Sequence, residues 1–141
     1  MNSKVKFLSY SIGLIYILFG SLKFFPHISP AETIGIVTVQ NLTFDMLSPT
    51  FAIYSLAILE VVIGILLFTK NYLKIGVIAA LIHLIFTFTP FIFSPNEAFA
   101  TEYFTPSLLG QYILKNIILI GALWVIYPSN EESKILQQAN A

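Results

Sequence analysis

Residues 51–68 read FAIYSLAILEVVIGILLF, and this stretch decides the fold. As an α-helix it would rise about 27 Å, close to the roughly 30 Å thickness of a bilayer's hydrocarbon core. Glu60 is the one charged residue in it. A carboxylate at that depth costs several kcal/mol unless it is paired, protonated or facing water. The stretch therefore predicts a transmembrane helix whose Glu60 meets a partner elsewhere, and the candidates are Lys23, His83 and Lys115.

The composition of the whole chain agrees with a membrane protein. Its 141 residues are 57% hydrophobic and 10% charged, whereas soluble domains carry about 25% charged residues. Seven lysines with no arginine and no basic cluster give no reason to expect nucleic acid as a partner. Cysteine is absent, which excludes disulfides, thiol redox chemistry and thiolate metal sites. We expect a single membrane domain over residues 1–141.

Long apolar blocks predict an all-α integral membrane four-helix bundle, with transmembrane helices at about 5–25, 50–69, 73–93 and 106–127. Pro26 and Pro128 would end the first and last helices, and Pro90 would kink or end the last turn of the third. A signal peptide is the alternative for the first block, but no small-x-small cleavage site follows it. The polar tail 128–141 is expected to be cytoplasmic and mobile.

The first connector, residues 27–50, is too long for a turn. It contains Ser29-Pro30-Ala31-Glu32, a capping box with proline at the first helical position. This predicts a short interfacial helix from near Pro30, with a strand-like segment as the alternative because several residues are β-branched. The same cap-plus-proline pattern predicts helix starts at Ser48-Pro49, Ser94-Pro95 and Thr105-Pro106.

The lysines predict the orientation in the membrane. Five of them would lie on one side of a four-helix hairpin, and the outer loops carry acidic residues instead. The positive-inside rule then places both termini in the cytoplasm of an inner membrane. The five lysines are Lys4, Lys6, Lys70, Lys74 and Lys134, and the acidic residues are Glu32, Asp45, Glu97 and Glu102.

Each predicted span carries one ionisable side chain on a face of small or polar residues, at the spacing of a helical stripe. Small residues let helix backbones approach closely in lipid, so we expect these faces to point inward. The stripes are Ser9, Gly13, Tyr16, Gly20 and Lys23; Ala57, Glu60 and Gly64; Gly76, Ala80, His83, Thr87 and Pro90; and Gln111, Lys115 and Ala122.

These stripes define the candidate site. We predict that Glu60 pairs with Lys115, directly or through His83 or water, with Lys23 above this layer. A buried ion pair that only fixes helix register, and a Lys23 that snorkels at the helix end, are the competing interpretations. One His and one Glu without paired ligand spacing predict no metal site. The ligand-binding or proton-relay candidates are Lys23, Glu60, His83 and Lys115, with Tyr16, Thr87 and Gln111.

Four segments resemble the DoxX-like family of small four-helix bacterial membrane proteins: FGSLKFFP (19–26), LEVVIGILL (59–67), FTFTP (86–90) and GQYILKNIILIGAL (110–123). They occur in the right order over nearly the whole chain. The resemblance implies an inner-membrane bundle in which Lys23, Glu60 and Lys115 are the family's charged signature. Some members are linked to quinone-dependent sulfur oxidation or to oxidant resistance, but this chain has no cysteine for sulfur chemistry.

Three functions follow as hypotheses. The first is a subunit or partner in quinone-linked redox or oxidant-stress chemistry, in which Lys115 and His83 would hydrogen-bond a quinone carbonyl and Glu60 would set their charge. The second is a small carrier or proton relay through the same residues. The third is a structural subunit with a buried ion pair. The lipid bilayer is the expected environment, and a redox partner protein or a second copy of the chain are the candidate partners.

Overall fold

The computed structural model of the protein describes residues 2–25, 27–28, 32–100 and 105–128. No β-strand occurs in these residues, apart from an isolated bridge between Phe99 and Pro106. The all-helical prediction is confirmed. The helices are α1 (Ser3–Leu22), α2 (Glu32–Leu42), α3 (Pro49–Phe68), α4 (Leu73–Phe86), α5 (Pro90–Phe93), α6 (Pro95–Ala98) and α7 (Leu108–Ile126), with a 3₁₀ turn at Lys70–Tyr72.

Four helical segments in the described residues are long and apolar enough to cross a membrane: Ser3–Leu22, Pro49–Phe68, Lys70–Phe93 and Leu108–Ile126. Their outward faces consist largely of Leu, Ile, Phe and Val side chains. Phe7 is 75% exposed and Ile118 is 73% exposed, in different helices. Soluble monomers rarely expose contiguous apolar surface on this scale, so these faces fit a lipid environment.

Two of the three predicted cap-plus-proline starts are found. Pro49 is the first residue of α3 and Pro95 the first of α6, and the Ser48 side chain accepts a hydrogen bond from the Phe51 N–H. The last long helix differs, because Ser107 is its N-cap and accepts from Gly110 N–H. It therefore begins at Leu108, later than the Thr105-Pro106 pattern predicted. The capping box at residues 29–32 lies largely outside the described residues.

The third span is broken before Pro90, as expected. Helix α4 ends at Phe86, four residues earlier. A proline ring clashes with the carbonyl four residues before it and donates no N–H, so the regular ladder stops there. The side chains of Thr87 and Thr89 donate to the carbonyls of Leu84 and Phe86, at 2.6 and 2.7 Å. The helical path then resumes as α5.

Helices α1 and α3 form the closest pair. Gly13 faces Gly64, and a Cβ built on Gly64 would lie 2.7 Å from the Gly13 carbonyl oxygen. Seven residues later in α1 and seven residues earlier in α3, Gly20 faces Ala57. The Ala57 carbonyl oxygen would lie 3.0 Å from a Cβ built on Gly20. The two helices are therefore antiparallel in a register set by small residues. Helices α2 and α4 also pack on α3, and α7 contacts α1 and α4.

The two ends of this packing differ in composition. At the lysine-rich end, where α1 starts and α3 ends, lie Lys4, Lys6, Lys70 and Lys74. The opposite end, here called the Lys23 end, is where α1 stops. Between the lysine-rich end and the middle of the helices, the interior is apolar and well buried. Its side chains are Ile12, Ile63, Leu67, Leu73, Val77, Leu123 and Ile126.

Candidate functional site: a buried polar chain

Lys23 and Glu60 form a buried ion pair between α1 and α3. The Lys23 Nζ lies 2.5 Å from Glu60 Oε2, and the two side chains are 6% and 10% exposed. Lys23 also donates a longer bond, 3.4 Å, to the Phe19 carbonyl. Lys23 thus points into the protein, contrary to the snorkelling interpretation. Removing one partner of such a pair typically costs 3–5 kcal/mol because the other charge stays buried.

The helix geometry explains why these two side chains meet although their backbones lie at different depths. Extrapolation of the Gly13–Gly64 and Gly20–Ala57 register places Lys23 nearer the Lys23 end than Glu60. Side chains on a helix lean toward its N-terminus. On α1 this direction carries Lys23 toward the middle, and on antiparallel α3 it carries Glu60 toward the Lys23 end. The two groups therefore converge.

Gly20 makes the close approach at this site possible. A Cβ added there would lie 3.0 Å from the Glu60 Cβ and 2.9 Å from the Val61 Cγ2. Any larger side chain at this position would push α1 away from the carboxylate. The glycine therefore controls the Lys23–Glu60 distance without contacting the charges itself.

His83 of α4 joins the pair from the other side. Its Nε2 lies 3.5 Å from Glu60 Oε1, and its Nδ1 lies 3.0 Å from the Tyr16 hydroxyl oxygen. A neutral imidazole with its proton on Nε2 satisfies both contacts, because Nδ1 then accepts from the hydroxyl. The Ala80 carbonyl is farther from that hydroxyl, at 3.4 Å. The four side chains form a chain in the order Lys23, Glu60, His83, Tyr16.

This polar chain occupies only one half of the interior. Toward the lysine-rich end, the layer beyond Tyr16 consists of Ile12, Ile63 and Val77, which are all buried. The next buried hydroxyl, Ser9, donates to the Leu67 carbonyl at 2.7 Å and is thereby satisfied. The described residues thus offer a polar path from the middle to the Lys23 end, but an apolar layer separates it from the opposite end.

Thr87 lies one helical turn beyond His83, at the end of α4. Its hydroxyl donates to the Leu84 carbonyl and accepts from Asn116 Nδ2 at 2.8 Å, which ties α4 to α7. Asn116 was not among the sequence candidates. The signal for it was its position: Gly110, Ile113, Asn116 and Leu123 share one face of α7, and that face is the inward one.

The prediction that Lys115 pairs with Glu60 is wrong. Lys115 is exposed, and its Nζ lies 4.7 Å from the centre of the Tyr112 ring, a cation–π contact on the outer face of α7. Gln111 is exposed as well, and its Nε2 lies 3.4 Å from the Pro106 carbonyl oxygen. The face chosen for the fourth helix was therefore rotated away from the true interior. The other three predicted stripes do face inward.

The arrangement can hold and move a proton. Glu60 receives hydrogen bonds or charge from two basic groups, and Tyr16 extends the chain by one further proton-bearing group. In the described residues, no group of three or more His, Cys, Asp and Glu side chains comes together to hold a metal ion. The four side chains of the polar chain can exchange protons and form hydrogen bonds with a polar ligand.

Comparison of the chain with protein-family models, with curated proteins and with solved structures found no match.

Proposed function

We propose that this chain is a multi-pass protein of the bacterial inner membrane, folded as a four-helix bundle with both termini in the cytoplasm. Four apolar spans support the membrane location. The gathering of Lys4, Lys6, Lys70 and Lys74 at one end supports a cytoplasmic assignment for that end. Helix α2 would lie in the membrane interface, since it packs against α3 and none of its residues is fully buried. The Lys23 end then faces the periplasm.

For the activity, we infer a role in quinone-linked redox chemistry. Reduction of a quinone takes up protons together with electrons, and quinol oxidation releases both. The observation that carries the proposal is the chain of polar contacts from Tyr16 through His83 and Glu60 to Lys23, in which the outer two links are hydrogen bonds and His83 lies at ion-pair distance from Glu60. Glu60 and His83 would exchange the proton with a quinone dissolved in the bilayer, and a partner protein would exchange the electrons. The resemblance of the Lys23 and Glu60 segments to DoxX-like proteins supports the redox assignment.

The apolar layer argues for local proton exchange rather than conduction across the membrane. A transmembrane proton relay needs polar groups or water over the whole thickness of the membrane. Here Ile12, Ile63 and Val77 fill the layer between Tyr16 and the lysine-rich end. Protons at Glu60 would therefore come from, and return to, the Lys23 end. This is the topology expected of a site that serves a reaction at one membrane face.

A purely structural role for the ion pair is the second candidate, and the close glycine packing of α1 on α3 favours it. Infrared difference spectroscopy in lipid nanodiscs separates the two roles. The signal is the change in carboxyl absorption when a short-chain quinone is added and then reduced electrochemically. We expect carboxyl bands in the wild type that disappear in Glu60→Gln. The matched control, Lys115→Gln, removes a charge on the exposed face and should keep them.

A wild-type spectrum identical to that of Glu60→Gln would contradict the quinone proposal and leave the structural role. Proton flux in proteoliposomes provides the companion measurement. We expect no flux above that of protein-free vesicles, because of the apolar layer. A flux that depends on Glu60 would instead favour the transmembrane relay.

A further inference from the structure

A second cluster of charged and aromatic side chains lies at the lysine-rich end, far along the helices from Glu60. It forms a cleft of about 170 Å³ between the start of α1, the end of α3 and the turn that leads into α4. The residues that line it are Lys6, Tyr10, Leu67, Phe68, Lys70 and Leu73.

The walls of this cleft are amphipathic. Tyr10 and Phe68 stack with ring centres 4.8 Å apart, and Lys6 Nζ lies 5.4 Å from the centre of the Tyr10 ring. Leu67 and Leu73 are buried beside them and supply apolar surface. The site therefore combines cationic groups with an aromatic wall and an aliphatic one.

The two ammonium groups give the cleft a positive charge. Lys6 and Lys70 belong to different elements and converge on one cleft. Neither has a carboxylate within ion-pair distance in the part of the chain that the structure describes. The described acidic residues other than Glu60, namely Glu32, Asp45 and Glu97, lie in the connections at the Lys23 end. The cleft thus attracts an anion.

The size and position of the cleft select the kind of anion. Sites that enclose a drug-sized ligand measure roughly 300–1,000 Å³, so this cleft admits a part of a molecule only. It lies where the apolar spans end. With those spans placed across a bilayer as proposed above, this is the depth where phospholipid headgroups meet the hydrocarbon core. Juxtamembrane lysines attract anionic headgroups with about 1 kcal/mol each. We propose that this cleft binds the phosphate of an anionic phospholipid, whose acyl chains pass along the exposed faces of the helices.

Lipid titration of the purified chain, with bound lipids counted by native mass spectrometry, tests this proposal. The probe is phosphatidylglycerol, and the variant is the pair Lys6→Gln and Lys70→Gln. We expect the apparent affinity of this double variant for phosphatidylglycerol to be roughly 30-fold lower than that of the wild type, as the loss of two such lysine contacts implies. The matched control, Lys4→Gln with Lys74→Gln, removes the same charge at the same end but outside the cleft, and should lose much less.

Further ligands and variants show whether the cleft binds a lipid phosphate or a free phosphate ion. Phosphatidylcholine should bind far more weakly than phosphatidylglycerol, and Lys6→Arg with Lys70→Arg should retain binding because both charges remain. Equal losses in the cleft and control pairs would overturn the proposal in favour of a diffuse basic surface. Displacement of the lipid by an equal concentration of inorganic phosphate would overturn the lipid assignment in favour of a free anion. A thermal unfolding curve for each variant checks that it is folded.

Discussion

Two lysines in apolar helices of this protein have opposite surroundings. Lys23 is 7% exposed and bonded to a carboxylate, whereas Lys115 lies on the outer face of α7 over an aromatic ring. Around Lys23, small residues bring α1 and α3 together and place Glu60 within reach. Around Lys115, no helix of the described ranges covers the face, and the side chain is exposed. The comparison teaches that helix packing, and not the charge itself, decides whether a lysine turns inward.

The direction of the helix completes this contrast. Lys115 lies about 10 Å along α7 from Leu108, by the rise per residue. Its side chain leans toward the N-terminus of α7, past Tyr112 and toward the nearer end of that helix. Lys23 leans toward the N-terminus of α1, which is toward the interior. The lean of side chains toward the helix N-terminus therefore directs Lys115 toward the end of its helix and Lys23 into the protein.

The largest expected effect on the free energy of unfolding comes from removing the charge of the buried lysine, Lys23. Lys23→Met leaves the Glu60 carboxylate buried without its counter-charge, and we expect a loss of about 3–5 kcal/mol in the free energy of unfolding. Lys115→Met, the matched change on the exposed face, should cost less than about 1 kcal/mol. Unfolding of both variants in the same mixed micelles measures this difference. Equal losses would mean that the two lysines have similar surroundings.

The next prediction concerns the glycines that bring the helices together. Gly64→Ala places a methyl group 2.6 Å from Ile17 Cγ1 and 2.7 Å from the Gly13 carbonyl oxygen. We expect a destabilisation of about 1–3 kcal/mol from this overpacking. Gly121→Ala is the control, because a Cβ there meets nothing within 4 Å, and it should be neutral or stabilising by up to about 1 kcal/mol. Thermal unfolding of the two variants would contradict this account if Gly121→Ala were the more damaging.

A smaller effect is expected at the far end of the polar chain. Tyr16→Phe keeps the ring but removes the hydroxyl that bonds His83 Nδ1, and should cost about 1 kcal/mol. Tyr112→Phe, on the exposed face of α7, should leave the free energy of unfolding unchanged. Nitrogen NMR of the imidazole adds a direct reading, since the Nδ1 resonance should shift in Tyr16→Phe and not in Tyr112→Phe.

The smallest effect concerns the side-chain hydrogen bond that joins α4 to α7. A double-mutant cycle of Thr87→Val and Asn116→Ala should give a coupling energy of about 0.6 kcal/mol, the average for interhelical hydrogen bonds in a membrane protein. A cycle that pairs Thr87→Val with Gln111→Ala should give no coupling, because Gln111 is exposed. Coupling in the second cycle would place the predicted face of α7 inward after all.

Much of the fold follows from the sequence because its signals are local. Block length and hydropathy predict the four spans, and Pro90 predicts the break after α4. The inward faces of α1, α3 and α4 also follow, since small residues recur there at helical spacing. The inward face of α7 could not be derived in the same way, because its sequence contains two stripes that are equally typical of an inward face. One stripe contains Gln111 and Lys115, and the other contains Gly110 and Asn116. Contacts with α4, which no local pattern encodes, select the second.

The helical periodicity of the sequence was not enough to identify the partner of Glu60. Depth along the helices suggested Lys115, since both residues lie a similar number of turns from their helix starts. The true partner depends on the α1–α3 register and on the opposite lean of the two side chains. The register could have been inferred from the equal spacing of Gly13 and Gly20 with Ala57 and Gly64.

A pair of double-mutant cycles tests the central claim most directly, namely that Glu60 is coupled to Lys23 inside the protein. The first combines Lys23→Met with Glu60→Gln, and the second combines Lys115→Met with Glu60→Gln, with the free energy of unfolding as the readout. We expect a coupling of about 2 kcal/mol or more in the first cycle and additivity within about 0.5 kcal/mol in the second. Additivity in the first cycle with strong coupling in the second would contradict the account.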